Sequence, residues 1–252
     1  MNNNVTAIIK TFNRRDLADK LVRSIRKYYP DLSIIVADDS TIESGPMQDC
    51  VYYRLPQDVG LSRGRNFLVN KVETRYTLLL DDDFEFSDST KLGKLQDALD
   101  DGFDLAAGRV NGKDHCGLLE LNKGVLKYVH GNRGLLHNRP VYDITWNFFM
   151  ARTEFLRALP RDESLKLCEH TDWFLSAKGK LRCTSLPDVN VLHSRSRPES
   201  YRSYRLRGCF YALCFFKKWG ITESINFNGR STRPTDYAHI LEKMKVFLAP
   251  MR

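Results

Sequence analysis

The chain has 252 residues, 42% hydrophobic and 28% charged, which is ordinary globular composition and excludes a disordered or fibrous protein. No apolar run approaches the roughly 18 residues that a membrane span needs. The net charge of +8 points to an anionic partner, and the six scattered cysteines form no CxxC pair, which argues against a zinc site or a disulfide framework.

In chain order, Val5–Thr11 reads as a buried strand, short and β-branched. A helix follows over Asp16–Tyr28, with Leu17, Leu21, Val22 and Ile25 at helical spacing and Pro30 as its stop. Ser33–Ala37 and Val51–Leu55 read as the second and third strands, with a helix over about Ser62–Val72 next. The fourth strand, Tyr76–Leu80, runs straight into Asp81-Asp82-Asp83. A helix from about Ser89 to Leu99 leads to the strand Phe103–Ala107. Alternation at these lengths predicts an α/β domain with a largely parallel sheet and helices on both faces.

From Asn111 to Asp143 the pattern breaks into hairpin-like pieces marked by Asn111-Gly112 and Gly131-Asn132. Periodic apolar segments return at Phe148–Leu156, Thr171–Ala177 and Val189–Leu192. With no repeat and no linker, one domain over 1–252 is the economical reading, with a basic, helical carboxyl-terminal region from 195 onward. The amino terminus, Met-Asn-Asn-Asn before a strand, lacks the regions of a secretory signal. The expected location is therefore cytoplasmic, or the Golgi lumen if an anchor has been removed.

In an open parallel sheet, ligands bind at the carboxyl ends of the strands. Thr11-Phe12-Asn13, Asp38-Asp39 and Asp81-Asp82-Asp83 all follow strands and so converge on one edge. Two carboxylates spaced Asp-x-Asp can hold Mg²⁺ or Mn²⁺, with diphosphate oxygens and water completing the shell. A solvated acidic turn is the plain alternative. Gly60-Leu61-Ser62-Arg63-Gly64-Arg65-Asn66 opens a helix, where glycines admit close backbone approach and the helix start favours anions. Arg65 there is a candidate partner for phosphate or for the aspartates.

Glu169-His170-Thr171-Asp172-Trp173 offers two carboxylates and an imidazole for general-base work, or simply an acidic helix start. Glu169 and Asp172, three apart, are expected on one face, with Asp172 the favoured base, Glu169 second and His170 a tuning neighbour. Trp146, Asn147 and Trp173 are candidates for the acceptor side, because sugars stack on aromatic faces; core packing is the other reading of each tryptophan.

With those residues placed, the chain resembles GT-A glycosyltransferases of families 2 and 12, most closely the β1,4-N-acetylgalactosaminyltransferases that build gangliosides. The likeness is carried by Ala7–Arg14, Val36–Ser40, Gly60-Leu61-Ser62 with Arg65-Asn66, Leu80–Phe84, Trp146–Arg152, Glu169–Leu175 and Asp188–His193. It implies a single GT-A, Rossmann-like domain. It also implies that Thr11, Phe12, Arg14 and Asp39 line the nucleoside pocket, and that Arg65, Asp81 and Asp82 contact the nucleotide sugar. Asp81 and Asp83 then hold a Mn²⁺ or Mg²⁺ cofactor, with His193 as a further ligand. Relatives often carry Glu-Asp-x-Asp where this chain has Glu169-His170-Thr171-Asp172, which puts a histidine at their usual base position.

The resemblance implies inverting transfer of a sugar, GalNAc or another hexose, from a UDP-sugar to a hydroxyl on a glycan or glycolipid acceptor. Arg195–Lys218 interleaves basic and aromatic residues, and three readings stand open: a loop over the diphosphate, a contact with anionic membrane, or a solvated basic face. A nucleic-acid-binding module is the rival from another class, disfavoured because carboxylates at the sheet edge repel phosphate unless a metal intervenes. A nucleotidyltransferase that makes the sugar nucleotide is the second rival. It usually opens with a glycine-rich, lysine-containing loop, which Lys10-Thr11-Phe12-Asn13 is not.

Overall fold

A computed structural model describes residues 4–194, 201 and 204–248. The chain opens with β1 (Val5–Thr11), α1 (Arg15–Tyr28) and β2 (Ser33–Asp38). β1 is buried at every position, as its unbroken apolar run requires in a sheet covered on both faces. α1 buries Ala18, Leu21, Val22 and Ile25, a single stripe at spacings of three and four. Next come β3 (Val51–Arg54), α2 (Leu61–Lys71), β4 (Tyr76–Asp81), β5 (Phe84–Glu85), α3 (Leu92–Asp100) and β6 (Leu105–Val110).

The hairpin region holds β7 (Leu118–Asn122), β8 (Val125–Val129), β9 (Leu135–Leu136) and β10 (Arg139–Pro140). β11 (Phe149–Arg152), α4 (Thr153–Ala158), α5 (Glu169–Ala177) and β12 (Cys183–His193) follow. The chain then runs through α6 (Gly208–Trp219), β13 (Glu223–Ile225), β14 (Ser231–Thr232) and α7 (Pro234–Leu248).

Eight strands make the main sheet in the order β3-β2-β1-β4-β11-β6-β12-β5. The β3–β2–β1–β4 half is parallel throughout. Beyond it the sheet is mixed: β11 enters antiparallel between β4 and β6, and β5 closes the far edge antiparallel to β12. Because two antiparallel steps restore direction, β6 and β12 end at the same edge as β1 and β4. Helices α1 and α3 cover one face, while α2, α4, α5 and α6 cover the other. Val5, Ala7 and Ile9 point to the first layer and Ile8 to the second, the alternation of a strand buried on both sides. A smaller sheet, β14-β13-β8-β7, packs beside the second layer.

Asn111 and Gly112 form the expected tight turn, both at positive φ and bracketed by a Val110–Lys113 bridge. Gly131-Asn132 closes no hairpin; the two-residue turns there fall at Lys123-Gly124 and His137-Asn138, again with positive φ at both positions. The third helix begins at Leu92 rather than Ser89. Its approach is tied up locally: the Thr90 hydroxyl accepts the Ser87 N–H at 3.0 Å, and the Ser87 carbonyl accepts the Thr90 N–H at 2.8 Å. The Phe148–Leu156 stretch divides at Thr153 into strand and helix. Part of the basic segment, 195–200 and 202–203, lies outside the described residues. No described helix is long and apolar enough to cross a membrane.

Candidate active site

The ends of β1, β4 and β12 meet the start of α5 around a cavity of about 340 Å³. From β1, the Thr11 hydroxyl donates to Asp82 at 2.7 Å. Asn13, at φ +54°, turns the chain there, and its side-chain oxygen accepts the Thr41 N–H at 2.9 Å. Arg14 then reaches back, donating from Nη2 to Asp82 and from Nη1 to Asp83 Oδ2 at 2.6 Å. Its guanidinium lies 4.0 Å from the Tyr201 ring centroid. Burial would lower the Arg14 pKa, but Asp82 and Asp83 outweigh it and the net shift is upward.

The aspartates differ by surroundings. Burial, reinforced by the Asp83 charge, pushes the Asp82 carboxyl up to about 6 against the pull of Arg14. Burial also raises Asp81 despite Arg65. Asp83 goes the other way: burial is outweighed by His193 and Arg14, which hold it below the usual carboxylate range. Its Oδ2 lies 3.2 Å from His193 Nε2, whose pKa is raised by the same contact.

Arg65, with a side chain 3% exposed, crosses the cavity floor from α2, donating to Asp81 and, at 2.5 Å, to Glu169 Oε1. It thus joins a strand-end carboxylate to a helix-start one. At the α2 start, two of the backbone donors are already engaged by protein. Gly60 N–H donates to Asp39 Oδ2 at 2.9 Å, and Leu61 N–H to the Lys166 carbonyl at 3.1 Å. Gly60 sits at φ +88°, and a Cβ there would meet Lys166 Cβ at 2.5 Å, so glycine serves the packing of this loop.

Asp39 and Thr11 are fully buried and lie behind the cavity wall rather than on it. Asp39 pairs with Lys10, whose pKa burial lowers, and Lys10 does line the cavity. Phe12 lines it too, under Tyr204, with ring centroids 4.2 Å apart.

On the helix wall, Cys168 at φ +63° turns the chain into α5, and Glu169 and His170 face the cavity. His170 Nε2 is 2.8 Å from the Thr145 carbonyl, which can only accept; Nε2 therefore carries the proton and Nδ1 the lone pair. Burial, with His115 beside it, lowers the His170 pKa to about 3, so the ring is neutral.

Asp172, expected as the base, is turned the other way. Its carboxylate accepts Trp219 Nε1 at 2.8 Å and Lys218 Nζ at 2.7 Å from α6, and it does not reach the cavity. Trp173 is core, stacked on Phe149 with its Nε1 donating to the Leu159 carbonyl at 2.7 Å. Trp146 is half-buried against His115 at 4.7 Å and lies behind the lining. Of the three acceptor-side candidates, only Asn147 lines the cavity.

Sequence reasoning missed Lys10, Lys166, Tyr201 and Tyr204 as lining residues. Lys10 stood inside a quoted motif and the tyrosines inside the basic aromatic segment, while Lys166 gave no signal. Among the described residues, no three His, Cys, Asp or Glu side chains converge as a ready metal site. Asp83 and His193 nevertheless fit Mn²⁺ or Mg²⁺ in kind, a hard oxygen and an imidazole in contact, with Asp81 nearby but turned to Arg65.

A family model described as glycosyl transferase family 2 matches residues 6–159. The mouse beta-1,4 N-acetylgalactosaminyltransferase 2 is 38% identical over 205 residues, covering 78% of this chain and 40% of its own length. The human beta-1,4 N-acetylgalactosaminyltransferase 1 is 33% identical over 250 residues, covering 84% and 46%. The chain thus spans under half the length of these curated relatives.

Among solved structures, Staphylococcus aureus TarS in complex with UDP-GlcNAc superposes with a TM-score of 0.60 at 15% identity, over 84% of this chain and 65% of that one. The mannosyltransferase PcManGT from Pyrobaculum calidifontis, in complex with GDP-Man and Mn²⁺, gives 0.60 at 15% identity, over 85% and 63%. The fold is the expected GT-A-like one, a large mixed sheet flanked by helices.

Proposed function

We propose a reaction on the premise that this chain belongs to glycosyl transferase family 2: a hexose, GalNAc first among them, passes from a UDP-sugar to a hydroxyl of a glycan or glycolipid acceptor, with inversion. The single observation that carries this reading is the convergence of Asp81–Asp83, His193 and His170 on one cavity.

The lining holds five cationic side chains (Lys10, Arg14, Arg65, Lys166, Arg205) against four carboxylates (Asp81, Asp82, Asp83, Glu169). An incoming diphosphate therefore meets a site near charge balance, in which Arg14 can turn to its oxygens. Asp83 and His193 are the residues that would hold Mn²⁺ or Mg²⁺, with Asp81 freed from Arg65; the ion supplies charge neutralisation for a departing diphosphate.

His170 takes the acceptor proton at Nδ1 while its Nε2–H stays on the Thr145 carbonyl. A diphosphate in the cavity raises the proton affinity of that ring, because opposite charge favours the imidazolium. Glu169 keeps Arg65 in place beside it. Asn147, on the same wall, is the polar group left to orient the acceptor. A peripheral contact with anionic membrane rests on Leu206 and Phe210, both exposed one turn apart beside Arg205, and salt-sensitive liposome flotation checks it.

The test is a thermal-shift screen of nucleotide sugars with and without Mn²⁺. UDP-GalNAc is expected to raise the midpoint, more so with metal, since a ligand bound only to the folded state stabilises it. A midpoint unmoved by every nucleotide sugar would sink the reading.

A further inference from the structure

One carboxylate outside the catalytic pairings gathers three segments of the chain. Asp58 sits at φ +56° in the loop between β3 and α2, and its N–H donates to the Asp39 carbonyl at 2.9 Å. Its side chain accepts from Tyr204 Oη, from Arg207 Nη2 at 2.9 Å and from Lys166 Nζ at 3.0 Å. Lys166 Nζ also donates to the Asp58 carbonyl. None of these donors is local in sequence: Lys166 precedes α5, while Tyr204 and Arg207 precede α6.

Asp58 does not line the cavity, yet Gly60, Lys166 and Tyr204 do. Through Tyr204 it fixes a ring on Phe12 at 4.2 Å, and the Arg207 guanidinium packs on that ring, 4.1 Å from its centroid. Through Lys166 it fixes the backbone that Gly60 abuts and an ammonium at the cavity wall. An exposed ion pair would do little, because solvent screens it and both side chains pay entropy to meet. This carboxylate is 22% exposed and takes three donors from two distant segments, so it works as a tie rather than as a lone surface pair.

We infer that Asp58 is the positioning residue for nucleotide affinity: it ties Tyr204 over Phe12 and Lys166 beside Gly60, so that the nucleoside end of the cavity is shaped before a nucleoside diphosphate arrives. This rests on the proposal that the cavity takes such a donor. Side chains already held in place cost less entropy on binding, so cutting the tie weakens affinity. The chemical step is spared, because neither His170 nor Asp83 touches Asp58.

The experiment is calorimetric titration of UDP with Mn²⁺ into wild type, D58A, D58N and Y204F, with kcat measured at saturating donor. D58A is expected to raise Kd about tenfold, and Y204F, which keeps the ring but loses the hydroxyl's bonds to Asp58 and Arg207, about threefold. D58N falls between them, since it still accepts but carries no charge. Values of kcat stay within about twofold of wild type, and KM for the donor follows Kd. A melting curve checks that each variant folds; if D58A does not, Y204F and D58N decide.

Equal Kd in wild type and the folded variants, or a fall in kcat with Kd unchanged, overturns the inference and leaves the donor reading standing. A wild type that binds no UDP removes the donor reading and this inference with it.

Discussion

The two walls of the cavity handle charge in opposite ways. The strand-end wall, Arg14 with Asp81, Asp82, Asp83 and His193, is built from charged groups that neutralise one another at contact distance. The helix wall presents His170, with His115 behind it, and burial keeps both imidazoles uncharged, their pKa values lowered to about 3 and about 4. The uncharged base is thus set across one small space from the charged cluster, and the cations nearest it are matched by carboxylates. Arg65 pairs with Asp81 and Glu169, and Lys218 pairs with Asp162 and Asp172 on the far side of α5.

The largest effect is expected on the strand-end wall. Asp83→Asn removes one of the two carboxylates under Arg14 and the oxygen beside His193, so transfer should fall by a factor of ~10³ or more, and UDP binding should cease to depend on Mn²⁺. Turnover and metal response both intact would show that this wall does not hold the ion. Crossing to the helix wall, His170→Ala should lower kcat about a hundredfold while leaving the Kd for UDP within about twofold. A loss of binding instead would mean that the two walls are not separable.

Asp172→Asn sharpens the contrast from behind the helix. It should leave kcat near wild type but reduce unfolding free energy by about 1–3 kcal/mol, read by urea titration, because Lys218 loses its buried partner. A large drop in kcat with stability unchanged would return the base to Asp172.

The same contrast explains what could be read without coordinates. On β1 and β4 the pleat fixes every side-chain direction, so an apolar run ending in Thr11-Phe12 or Asp81-Asp82-Asp83 announces where the polar groups emerge. The parallel half of the sheet and the convergence at its edge followed from that. On α5 the spacing rule paired Glu169 with Asp172, but the cavity lies between Glu169 and His170, which leaves Asp172 roughly 110° round the helix. Which arc of a helix start meets the ligand depends on its neighbours, here α6 with Trp219 and Lys218, and no local pattern encodes it. β11 was hidden for a related reason. Four residues, Phe149–Arg152, are too few to separate strand from the helix that follows, and only pairing with β4 and β6 decides it.

The smallest predicted effect concerns the helix wall itself. His115 has no charge partner among the described residues, and burial lowers its pKa to about 4, against an ordinary value near 6.5. Below pH 6.5 the unfolded chain therefore binds a proton that the folded chain refuses, so His115 removes stability as pH falls from about 6.5 to 4. The limiting slope is about 1.4 kcal/mol per pH unit. Asp82, raised to about 6, runs the other way over the same range, because there the folded state holds the extra proton. His193, raised by Asp83, contributes stability below its unfolded pKa that is lost as pH rises through its folded value, so its window lies higher. The total slope is thus a sum of opposing parts, and the histidine is isolated only by difference. His115→Phe keeps a ring against Trp146 and Phe227 and removes the titration. Urea unfolding of wild type and H115F between pH 4.5 and 6.5 should show the variant gaining relative stability steadily toward acid, by about 1–2 kcal/mol across the window. Parallel curves would mean that water reaches this ring, and the helix wall would then lose its claim to hold a neutral base by burial.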